Sequence, residues 1–180
     1  MSFTFGCAKP LYRKHIHPRL LVGPNELEQM RQRTRGGVGK RLLAGMRTRL
    51  RPVALEILAA ADDKAARAVV DGAYFGRPLW HFLDELAALG RLDQDQNCLR
   101  AVRRILLAIA DAGNAGTLGH NGTGALSIVA NAYDLIHDCL PDADRRPINE
   151  WMLDCGIRAT LAEVRPHHFR SAGVNSAEIR

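Results

Sequence analysis

From residue 24 onward, apolar residues recur at helical spacing with few interruptions. The turn Val22-Gly-Pro-Asn25 predicts a first helix that starts at Asn25. Its side chain is the expected cap, and Glu26 and Glu28 suit the positive end before the helix stops by Gly36-Gly37. A second helix is predicted over residues 38–61, carrying Leu42, Leu43, Met46, Leu50, Leu55 and Leu58. Pro52 should kink or split it, since proline removes a backbone donor. Residues 62–78 show no clear period and read as an irregular passage. Next comes a helix over residues 79–89, with Leu79, Phe82, Leu83, Leu86 and Leu89 on one face and Gly90 as its end. Asp93 opens another, in which Leu99, Val102, Ile105, Leu106 and Ile109 form a strong apolar stripe with Arg100, Arg103 and Arg104 outside it, ending at Gly113. A glycine-rich loop at residues 113–124 leads to a helix over about residues 125–140. After the turn Pro141-Asp-Ala-Asp144, the last helix is predicted over about residues 145–164, with Pro147 in its first turn.

No segment alternates apolar and polar residues for long, and Ala and Leu dominate the periodic stretches. The fold class predicted is all-α, built from antiparallel helical hairpins joined by short turns. Residues 1–23 form an extended N-terminal segment, and residues 24–180 form the helical part. There is no exact internal repeat and no low-complexity tract.

Composition changes this picture little. At 180 residues, 47% hydrophobic and 24% charged, the chain can bury one core and is not disordered. No apolar run approaches the roughly 20 residues that span a bilayer, so no membrane partner is expected. The start MSFTFGCAKPLYRKHIHPRL lacks the apolar segment of an export signal. Cys7, Cys98, Cys139 and Cys155 lie far apart with no C-x-x-C pair, which disfavours a metal or redox motif and fits free thiols in a reducing, cytoplasmic setting. No cofactor is expected.

Charge changes it more. The net charge is +6, but residues 1–51 hold 12 basic and 2 acidic side chains, so this segment is +10 and the remainder −4. Such an excess calls for an anionic partner, which is nucleic acid, an acidic polysaccharide, or an acidic face of the same protein. The basic stretch from Arg31 to Arg51 has no aromatic residues to stack bases and no helix-turn-helix pattern, so nucleic acid is disfavoured.

Three clusters carry candidate chemistry. In Gly119-His-Asn-Gly-Thr-Gly124, glycines let a ligand approach the backbone while His120 and Asn121 offer proton transfer and hydrogen bonding; a plain helix connector capped by Thr123 is the alternative. On the following helix Tyr133 and His137 lie one turn apart on one face, as do Asp134 and Asp138. A Tyr–His pair would then line a cleft while the acids face away, unless these are packing groups. Near the end, His167-His168 has no carboxylate at ligand spacing, so no metal is expected, and Asn175 is either a helix cap or a substrate donor.

Taken in order, His17-Pro-Arg-Leu-Leu-Val-Gly-Pro-Asn-Glu-Leu-Glu, then Asn131-Ala-Tyr-Asp-Leu-Ile-His-Asp138, then Asp144-Arg-Arg-Pro-Ile-Asn149 and Ala172-Gly-Val-Asn175 resemble the N-terminal part of heparinase II/III-like and alginate-lyase-type polysaccharide lyases. The resemblance implies an incomplete (α/α) toroid followed by a β-sandwich domain. It also implies β-elimination on uronate-containing glycans, in which an asparagine neutralises the carboxylate and a Tyr or His takes the acidified proton. Asn175 matches the family's asparagine, with Ser176 where some members carry His or Trp. Tyr133 matches the tyrosine of the inner helix. By the same resemblance the catalytic Tyr and a later His would lie beyond Arg180, so the chain is expected to be truncated at its C-terminal end and to lack the complete catalytic set. The function expected is therefore part of a lyase acting on an acidic polysaccharide or oligosaccharide, with Asn175 catalytic and His120, Asn121, Tyr133 and His137 binding substrate. The alternative is a non-catalytic helical scaffold or anionic-glycan-binding module.

Overall fold

The computed structural model describes residues 17–18, 20, 22–71, 73–74, 77–78, 82–111 and 122–153. Seven α-helices carry the described chain: α1 (Pro24–Arg33), α2 (Gly37–Ala59), α3 (Asp63–Asp71), α4 (Leu83–Asp93), α5 (Gln96–Asp111), α6 (Gly122–Ile136) and α7 (Asp142–Trp151). A two-residue antiparallel ladder pairs Ala73 with Pro78 and Tyr74 with Arg77 between α3 and α4. Among the described residues the chain is all-α apart from that ladder. Among the described residues no helix is long and apolar enough to cross a membrane.

Local chemistry sets the helix ends and moves several from where periodicity puts them. α1 starts at Pro24 rather than Asn25, because Glu26 turns its carboxylate back to accept the Gly23 amide at 2.7 Å. α2 runs unbroken through Pro52. The passage over 62–78 holds α3, which Asp62 caps by accepting the Ala65 amide at 2.7 Å. α4 starts at Leu83 and continues past Gly90 to Asp93. Asp95, not Asp93, caps α5 by accepting the Asn97 and Cys98 amides at 3.0 and 3.2 Å. α6 stops at Ile136, and His137–Cys139 forms one 3₁₀ turn. α7 begins at Asp142, which places Pro147 in its interior rather than its first turn.

Two glycines permit close approaches that a side chain would block. A Cβ at Gly39 would lie 2.3 Å from the Arg33 carbonyl oxygen, so the first turn of α2 can fold back on the end of α1 only there. Inside α4, a Cβ at Gly90 would lie 2.7 Å from Leu99 Cδ2, and its absence lets α4 and α5 pack tightly.

One core forms where these helices meet. α5 is its centre, packing on α2, α3, α4, α6 and α7, and the predicted stripe supplies Val102, Ile105, Leu106 and Ile109 to it. Leu50 and Ile57 of α2, Leu83, Leu86 and Leu89 of α4, Ile136 of α6 and Ile148 of α7 complete it. Each such side chain contributes about 2 kcal/mol relative to exposure. The arginines outside the α5 stripe fasten its neighbours. Arg104 donates to the Ile57, Leu58 and Ala60 carbonyls at the end of α2, a cation at the negative helix end. Arg103 grips both oxygens of Asp144 on α7 at 2.6 and 3.1 Å.

Candidate functional site

The end of α6 gathers the first polar cluster. Val129, Ala132, Leu135 and Ile136 turn into the core, which carries Tyr133 and Asp134 inside with them. Asp134 is only 4% exposed, and both of its oxygens are used. His17 Nδ1 meets Oδ1 at 2.6 Å, and the Leu20 amide donates to Oδ2 at 2.8 Å. His17 and Leu20 are thus clasped onto α6, His17 from a sequence distance of 117 residues, with the His17–Pro18 bond cis and Pro18 buried. The His17 ring stacks on His137, centroids 3.7 Å apart at 25°, and Tyr133 sets its edge against His137 at 5.4 Å.

Tyr133 and His137 are therefore brought together as their spacing predicts, but Asp134 does not face away with Asp138. Asp138 does; it is exposed and lies 3.1 Å from His137 Nδ1. His17 joins the cluster although it was not among the expected site residues. Its signal lay in the two motif stretches, since His17 opens one and Asp134 sits in the other. His120, Asn121 and Asn175 lie outside the described residues.

The titrating groups here are tuned in opposite senses. Burial lowers the His137 imidazole below its ordinary value; its contact with Asp138 opposes this, while the charges of His17 and Arg145 add to it. Burial raises the Tyr133 phenol, against the opposing effects of Asn149 and Arg145. The Tyr133 hydroxyl is buried beside Asn149 with no hydrogen bond among the described residues. Chemically, a carboxylate that holds Nδ1 of His17 fixes the orientation of that ring, and the His137 ring is stacked beside it. Nearby, Arg91 Nη1 lies 2.8 Å from the exposed Cys139 sulfur. Cys98 is inert, its thiol pushed up to about 12 by burial and the nearby Asp95. Among the described residues no three His, Cys, Asp or Glu side chains are grouped to hold a metal ion.

The basic stretch forms the second polar region, and α4 divides it in two. In its later half, Arg47 pairs with Asp93, Arg49 with Glu85, and Arg51 with both Asp93 and Asp95, at 2.8 and 2.7 Å. Burial raises the Asp95 carboxyl, but hydrogen bonds from Arg51 and from the Cys98 and Asn97 amides outweigh it and hold the group below its ordinary value. This half meets an acidic face of the same protein. In the earlier half Arg31 is the one cation engaged among the described residues, through two bonds to the Arg91 carbonyl and one to Glu28. Arg33, Arg35, Lys40 and Arg41 are exposed and make no ion pair among the described residues.

No protein-family profile, no curated protein and no solved structure matches the chain.

Proposed function

We propose that this chain is the N-terminal part of a heparinase II/III-like polysaccharide lyase, its helices belonging to an incomplete (α/α) toroid that acts on uronate-containing glycans by β-elimination. The contact between His17 and Asp134 carries this reading. Two of the stretches that resemble the family, His17-Pro-Arg-Leu-Leu and Asn131-Ala-Tyr-Asp-Leu-Ile, lie far apart in the chain, yet one residue of each closes a buried 2.6 Å pair. A fortuitous likeness of two short motifs gives no reason for them to meet. In this reading Asp134 fixes the entry segment to the inner helix, and Tyr133 and His137 line the adjoining wall. Asn175 neutralises the substrate carboxylate so that the neighbouring carbon proton becomes removable. The proton leaves to a Tyr or His, the glycosidic oxygen departs, and a carbon–carbon double bond forms in the sugar that loses the proton.

The test is to incubate the full reading frame containing this chain with alginate, heparin and hyaluronan and to follow the ultraviolet absorption of the unsaturated uronate. The expected result is a time-dependent rise with at least one of them. A folded protein that produces no rise with any acidic glycan overturns the reading.

A further inference from the structure

Four exposed cations with no ion pair among the described residues, Arg33, Arg35, Lys40 and Arg41, lie where α1 turns into α2, and a depression of about 450 Å³ opens there between that turn and the end of α4. Arg31, Arg35, Lys40 and Arg47 line it, and Leu43 and Leu92 supply its apolar surface. Its one carboxylate, Asp93, adds no free negative charge, because Arg47 and Arg51 together balance Asp93 and Asp95. Arg31 is held in place by the Arg91 carbonyl. Arg35 and Lys40 are left with no ion pair among the described residues, and the exposed Gln94 adds an amide to the lining. The contrast within one basic stretch is informative. Had the arginines served only to fasten α2 to α4, the excess would end where α4 runs out of acids, yet it continues around the depression.

We infer that this depression is a binding site for the carboxylate or sulfate group of an acidic saccharide, with Arg35 and Lys40 as the charge contacts and Gln94 hydrogen-bonding a neighbouring hydroxyl. Leu92, half-buried at the end of α4 with the buried Leu43 beside it, gives a sugar ring an apolar surface next to its anionic group, which inorganic ions do not need. The saccharide assignment rests on the glycan reading above; the oxyanion chemistry does not. The residues that line it belong to α1, α2, α4 and the turns after α1 and α4, and none of them takes part in the His17–Asp134 clasp on α6.

The experiment titrates the chain with a uronate tetrasaccharide, its neutral counterpart, inorganic sulfate and a short oligonucleotide, following backbone amide resonances. The uronate tetrasaccharide should shift amides at residues 34–40 and 93–94, bind more tightly than sulfate, and weaken with salt, while the neutral sugar leaves them unmoved. Arg35→Glu with Lys40→Glu should weaken binding about tenfold or more. Lys64→Glu with Arg146→Glu makes the same charge change at exposed positions on α3 and α7 and should leave binding within about twofold. Uronate binding that the Arg35/Lys40 variant does not weaken overturns this site and spares the glycan reading. Equal or tighter binding of sulfate or the oligonucleotide overturns the saccharide assignment. No binding of any anion at low salt overturns the site altogether. Lyase activity is read separately by absorption, so a lyase whose Arg35/Lys40 variant binds normally fails here alone.

Discussion

The clasp at the end of α6 and the depression beside the α1–α2 turn are both polar, and they treat their charges in opposite ways. At the clasp the Asp134 carboxylate is buried and both oxygens are met by a segment from the far end of the sequence. A buried charge without partners costs several kcal/mol, so such a group is kept only where the fold supplies them. Around the depression, Arg35 and Lys40 remain in water, where an unpaired cation costs little. The clasp's interactions are therefore used up by the fold, while those of the depression remain available to a ligand.

Removing the clasp should have the largest effect. Asp134→Ala leaves His17 and the Leu20 amide without their acceptor and should destabilise the protein by about 3 kcal/mol in chemical denaturation. Asp138→Ala, at the exposed neighbour on the same turn, should stay within about 0.5 kcal/mol. Equal losses from the two variants would break the contrast between a structural and a solvated acid.

A smaller effect separates the two regions by pH. In the unfolded chain His137 titrates near its ordinary value of 6.5, and in the native protein its value is lower. Between the two values the unfolded state holds the proton and the native state does not, so stability falls as pH drops below about 6.5. Denaturation curves taken from about pH 7.5 to about pH 5.5 should show this slope, and His137→Gln should flatten it. An unchanged slope in that variant would assign the pH dependence elsewhere.

The smallest effect is expected at the depression. Arg35→Glu with Lys40→Glu removes charges that the fold does not pair, so stability should change by less than about 0.5 kcal/mol. A loss above about 2 kcal/mol would mean that these residues hold the α1–α2 turn together and would dissolve the distinction drawn above.

Much of the fold is legible in the chain because helix formation is written in local spacing. The α5 stripe of Val102, Ile105, Leu106 and Ile109 is buried as its period predicts. α3 is harder to read, since Ala65, Ala66 and Ala68 give a weak apolar period, and the Asp62 cap is its clearest signal. Gly90 reads as a helix end because glycine commonly ends helices, but here it serves a close approach to Leu99 instead. Of the candidate site, the Tyr133 and His137 pair is legible from their spacing within one helical turn. Asp134 is not, because periodicity says which residues share a face and not what another segment brings to that face.

The sequence by itself determined that the chain is all-α, which apolar stripes drive its packing, and that positive charge is concentrated before residue 52. Those properties follow from neighbours within a turn or two, or from simple counting. Only the tertiary structure decided that Arg47, Arg49 and Arg51 are balanced by α4 while Arg35 and Lys40 are not, and that His17 is Asp134's partner. Those pairings span 36 to 117 residues. Burial of the apolar stripes selects the arrangement of the helices, and the charges then find whichever partners that arrangement places beside them.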